Sequence, residues 1–212
     1  MTSTTDITPE FFYSGLALPE YVEGMTKNRE LFEQNYRNFQ LSDDELAALR
    51  SIKGTLHVLA LTEDWCSDAI RYLPALARMA EATGEWEMRI FYRDAHPELA
   101  GRWLKHGTRS AIPALVFLDA EWNEFACFVE KPEPVFGEEA IAREEFAASH
   151  PELPDAALPA GEMSQSTLEI FTPYMRGFRL ANTDRWEHFF AQELTARLQS
   201  ATAGIVAGAG CW

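Results

Sequence analysis

The sequence predicts an α/β fold with a mixed sheet and helical extensions at both ends, on three observations. Apolar runs of strand length alternate with segments of helical periodicity between residues 55 and 149. Two of these strands are joined by a connection too short to hold a helix, so at least one pairing is antiparallel. Outside that region the chain reads as amphipathic helices with no strands between them.

The elements follow in order. Thr8-Pro9-Glu10 is a helix start, a capping hydroxyl followed by proline at the first helical position. A second helix begins near Pro19. Leu18, Val22, Met25, Phe32, Tyr36 and Phe39 form its single apolar stripe, with Arg29 the exception. Ser42-Asp43-Asp44-Glu45 fits a capping box ahead of Leu46 and Leu49. Residues 55–62 then read as a buried strand, 66–83 as a helix closed by Gly84, and Trp86–Tyr92 as a second strand. His96 to His106 reads as a short helix closed by Gly107. Ala114–Leu118 and Glu124–Val129 read as a hairpin, and Glu138 to Ser149 as a helix. Strand-helix-strand units imply parallel pairing with right-handed crossovers, and the hairpin adds an antiparallel edge. The three prolines between His150 and Gly161 mark a linker, and Ser164 to Gly177 and Asp184 to Ser200 read as the last helices. The expected domain organisation is a helical extension over 1–50, a core over 51–150, a linker over 151–163, and helices packing on the core over 164–212.

Composition excludes several functions. With 47% hydrophobic and 12% aromatic residues in 212, the chain can bury a core. The net charge of −15, from 18 basic and 33 acidic side chains, would repel phosphate backbones and anionic membranes. The first residues carry no basic region and no apolar core, so no signal peptide is expected, and no apolar run is long enough for a membrane span. Three cysteines do not make a disulfide framework, and a reducing cytoplasm is the expected compartment.

The chemistry centres on Trp65-Cys66-Ser67-Asp68-Ala69, between a buried strand and a helix. A thiol on the first turn of a helix feels unpaired amide N–H groups, which lower its pKa. Glu63, Asp64 and Asp68 crowd the same turn and oppose the thiolate, so a moderately reactive thiol is expected. Asp68 is placed either to cap the helix or to relay a proton to the sulfur. Ser110-Ala111-Ile112-Pro113 leads directly into a strand, which makes the Ile112–Pro113 bond a candidate for the cis form.

Taken together, Trp-Cys at a helix start, Ile-Pro before a strand and the order of elements over roughly residues 50–150 resemble the thioredoxin superfamily. Thr62 to Ala69 is closest to a bacterial thioredoxin-like branch whose Trp-Cys-Gly-Asp type motif often has alanine in place of the second cysteine. The resemblance implies a three-layer α/β/α sandwich. It implies that Cys66 is the nucleophile, that Trp65, Ile112 and Pro113 shape the substrate groove, and that Asp68 tunes protonation. It implies no cofactor.

Ala69 is the departure. Without a second thiol there, a mixed disulfide on Cys66 waits for an external thiol or a distant cysteine. Cys127, flanked by Phe125 and Phe128 in a strand, reads as structural. Cys211, at the end of a Gly-Ala tail, has the reach of a resolving cysteine. The expected partners are a protein disulfide or a low-molecular-weight thiol, with a binding or scaffold module as the alternative. The aromatic clusters at both ends read as helix packing; a lid beside Cys66 and a homodimer interface are the sharper roles open to them. The four residues between Cys66 and Arg71, with Asp68 among them, exclude an anion-binding phosphatase loop. The histidines show no metal-ligand spacing with the cysteines, so no metal is expected.

Overall fold

The computed structural model describes residues 7–203, which form two compact units. One runs to Lys131 and resumes at Phe190; the other spans Pro132–Phe189. In the first unit, α1 Pro9–Tyr13, α2 Leu18–Gly24, α3 Arg29–Asn38 and α4 Asp43–Leu49 precede β1 Leu56–Thr62, α5 Ser67–Thr83 and β2 Trp86–Tyr92. Two short strands, β3 Leu104–Lys105 and β4 Arg109–Ser110, lead into β5 Ala114–Leu118 and β6 Glu124–Val129. The second unit holds α6 Glu133–Ser149, α7 Gln165–Ala181 and the start of α8 Thr183–Thr202.

The sheet order is β2-β1-β5-β6, with β1 and β2 parallel and the other two pairings antiparallel. This mixed sheet with its helices is the α/β architecture the sequence predicts. β1 is a continuous apolar run because both faces of a central strand are covered. On one face Leu59, Leu61, Phe91, Val116, Leu118 and Val129 join Ile7, Phe12, Leu99 and Trp103 in a single cluster. On the other, Phe190 of α8 meets Phe128 edge-on and stacks on Tyr72 of α5, both at 5.1 Å between ring centroids.

Three expectations are corrected. The apolar stripe from Leu18 to Phe39 is not one helix: it breaks after Gly24 and resumes at Arg29, with Asn28 left-handed at φ 57°. Residues 96–106 form no α-helix, since Gly101, His106 and Gly107 all sit at positive φ, and a turn and the β3–β4 hairpin replace it. There is then no crossover after β2. The connection begins and ends at the same end of the sheet, so β5 runs antiparallel to β1. The last helix of the core region also starts earlier than expected, at Glu133.

Pro74 lies inside α5 and has no N–H to offer the Ile70 carbonyl four residues back. Asn35 of α3 supplies the missing donor, Nδ2 to Ile70 O at 2.9 Å, in a buried contact. The Ser42–Glu45 capping box forms as expected, Ser42 Oγ accepting from Glu45 N and Glu45 Oε2 accepting from Ser42 N. Among the described residues, no helix is long and apolar enough to cross a membrane.

Candidate functional site

β1 ends at Thr62, and four residues later Cys66 occupies the N-cap position of α5 in an extended conformation. Antiparallel β5 starts at the same sheet end, where Leu61 pairs with Ala114. That register brings the segment just before β5 against the thiol. The Ile112–Pro113 bond is cis, and Cys66 Sγ donates to Ile112 O at 3.4 Å. Cys66 is only 8% exposed, whereas Trp65 beside it is 45% exposed. The Arg93 guanidinium lies 5.2 Å from the Trp65 ring centroid. The structure thus brings Cys66 against Ile112 of the cis Ile112–Pro113 unit, with Trp65 next to it in sequence and Asp68 on the first turn of α5.

Burial, which the expectation of a moderately reactive thiol did not include, dominates the electrostatics of the sulfur. Burial pushes the Cys66 thiol up to about 11. The Ala69 amide and the Asp68 amide pull it down, while the Asp68 and Glu130 carboxylates push it up. Those two amides of the helix terminus lower it by less than burial raises it, so the first turn of α5 does not offset desolvation. Asp68 does not cap α5 either: its carboxylate faces Arg71 Nη1 at 3.3 Å and Lys131 Nζ at 3.9 Å. The other two carboxylates are occupied. Glu63 accepts from the Asp94 amide at 2.8 Å. Asp64 accepts from the Thr26 amide and hydroxyl and from the Lys27 amide. Burial alone would raise the Asp64 carboxyl, but these three donors outweigh it and hold the group below its ordinary value.

A family model described as Thioredoxin matches residues 15–143, more than half of the chain. The chain belongs to this thioredoxin family. No curated protein matches it. A crystal structure of an HIV epitope scaffold superposes with a TM-score of 0.58 at 21% identity, over 91% of this chain and 97% of that one. A protein of unknown function from Pseudomonas aeruginosa superposes with a TM-score of 0.53 at 19% identity, over 78% of this chain and 95% of that one. At these identities the likeness is one of fold.

Against the thioredoxin pattern, two groups of site residues escaped the sequence reading. The first is the turn at Thr26, Lys27 and Asn28. Asn28 Nδ2 also donates to the Asp64 carbonyl at 2.9 Å, so the N-terminal extension grips the residues just before Cys66. Arg29, out of phase with the apolar stripe, was the one local sign of this break. The second is the buried ionic set of Arg71, Glu130 and Lys131, to which Arg109 is bridged through Glu130. No periodicity marks those residues. His57, at the far end of β1 from the thiol, stacks on Trp122 at 3.9 Å, as a core histidine. Cys127 is buried on β6, and Cys66 is a free thiol. Cys211 lies outside the described residues. Among the described residues, no group of three or more His, Cys, Asp or Glu could hold a metal ion.

Proposed function

We propose that this chain is a monothiol thioredoxin-like protein in which Cys66 exchanges with the disulfide of a protein or a low-molecular-weight thiol. The observation that carries this reading is the contact of Cys66 Sγ with Ile112 O at the cis Ile112–Pro113 bond, next in sequence to the exposed Trp65. An extended segment of the partner lying against Ile112–Pro113 would bring its disulfide to the sulfur. In the reaction, the Cys66 thiolate attacks one sulfur of the incoming disulfide. A Cys66 mixed disulfide forms, and the second sulfur leaves as a thiolate and takes a proton. Position 69 is alanine, so the neighbouring thiol that would resolve the adduct is missing; a thiol from solution attacks the partner's sulfur in the adduct, forms a new disulfide with the partner, and returns Cys66. A thiol-rich reducing cytoplasm would supply that reductant.

The high proton affinity of Cys66 shapes the kinetics. At neutral pH about one molecule in ten thousand carries the thiolate, and its greater nucleophilicity recovers about one order of magnitude of the loss. A high-affinity thiol is also a poor leaving group, so the adduct is long-lived. The same burial favours a second reading, a binding module that keeps the groove and does not turn over. Insulin reduction with a small-thiol reductant, compared between wild type and Cys66→Ser, separates the two. Monothiol exchange predicts activity in wild type alone; equal rates would remove Cys66 from the reaction, and no turnover in either would favour the binding module.

A further inference from the structure

Glu130 is the first residue beyond β6, and its φ of 71° lies in the left-handed region that residues other than glycine seldom adopt. This conformation turns its amide to Pro113 O at 2.8 Å, one step past the Ala114–Val129 pair. Glu130 is therefore anchored to the same Ile112–Pro113 unit whose other carbonyl accepts from Cys66 Sγ. Its buried carboxylate pairs with Arg109 of β4 and stands 3.7 Å from Lys131 Nζ. Lys131, also buried, reaches Asp68 on the far side, and Asp68 reaches Arg71. Arg71, Asp68, Lys131, Glu130 and Arg109 thus form a run of alternating charge linking the first turn of α5 to the cis-proline segment.

We propose that Glu130 and Lys131 are positioning residues that set the reactivity of Cys66: the Glu130 carboxylate suppresses thiolate formation, and the Lys131 ammonium limits that suppression. The other charged groups near the thiol are held by separate partners. Glu63 is bound by the Asp94 amide, Asp64 by the Thr26–Lys27 turn, and the buried Tyr21 phenol is driven far above its ordinary value and stays neutral. Asp68 and Glu130 are the carboxylates whose charge bears on the sulfur, and Lys131 touches both.

The test is the rate of Cys66 alkylation by iodoacetamide at pH 8, followed by intact mass, and it reads the sulfur whether or not the protein turns over disulfides. Glu130→Gln keeps the amide bond to Pro113 and removes the charge. A tenfold gain in thiolate, less the nucleophilicity lost with it, leaves alkylation about threefold faster. Lys131→Met removes the cation that the two carboxylates share, leaving each with one guanidinium, and slows alkylation about threefold. Arg109→Gln, at a mostly exposed side chain, slows it in the same direction and stands in should a buried variant fail to fold. Opposite signs for Glu130→Gln and for the cation variants support the proposal. Loosened packing would move all of them faster together, and that result, or no change in any of them, would overturn it.

Discussion

Thr26 donates twice to the Asp64 carboxylate, from its amide at 2.8 Å and from its hydroxyl at 2.9 Å. A helix break is the physical consequence, because Thr26 and Lys27 cannot give their amides to Asp64 and to a helix at once. Asp64→Ala should cost about 2–3 kcal/mol, the loss of a charged acceptor from part-buried donors. The pH dependence follows from the lowered Asp64 pKa. A carboxyl with a folded pKa below its unfolded one contributes stability above the unfolded value, and that contribution is lost as pH falls through the folded value. Urea unfolding should show the full wild-type advantage at pH 7, shrinking below about pH 4.

Asn35 and Pro74 make a second coupled pair. Asn35→Ala orphans the buried Ile70 carbonyl and should cost about 1–3 kcal/mol. Pro74→Ala in that background returns an N–H to the helix and should recover part of the loss. Denaturation midpoints of the single and double variants measure the coupling.

Cys66 alkylation should rise about tenfold for each pH step between 7 and 10, with no plateau near the ordinary cysteine value of about 8.5. Stability follows with a defined sign. The folded pKa is raised, so the contribution of Cys66 is whole below the unfolded value and is lost as pH climbs towards about 11. Wild type should therefore lose stability relative to Cys66→Ser across that alkaline window in urea titrations.

Ala69→Cys restores a second thiol on the first turn of α5. Ala69 is fully buried, so the larger side chain should cost about 1–3 kcal/mol. In exchange, once Cys66 has reacted with a partner disulfide, the new thiol should attack the mixed disulfide and expel the partner as a thiol at least about tenfold faster than in wild type, leaving an intramolecular disulfide seen by mass spectrometry as the loss of two hydrogens.

The sheet strands were legible because each main one is an apolar run bounded by a turn residue or a polar stretch, as with Leu56–Thr62 and Ala114–Leu118. Trp65-Cys66 and Ile112-Pro113 were legible as a site because each sits at a strand end with a distinctive residue type. The split between α2 and α3 was not. Val22, Met25, Phe32 and Tyr36 stay at helical spacing across it, and its cause, Asp64, is 38 residues away. The segment at 96–106 failed for a local reason, since a helical pattern of side chains cannot reveal that His106 and two glycines take positive φ. Glu130 had no sequence signal, because its importance comes from the Pro113 carbonyl across the ladder. The depth at which Cys66 is buried has no signal in the sequence, and burial is the largest influence pushing the thiol up.

Single-thiol exchange at Cys66 is tested most directly by incubating wild type and Cys66→Ser with 2-hydroxyethyl disulfide and mapping the adducts by mass spectrometry. The expected result is a 2-mercaptoethanol adduct on the Cys66 peptide of wild type, persisting after the reagent is removed and released on adding a small thiol. An unmodified Cys66 under conditions that label an ordinary cysteine would contradict it.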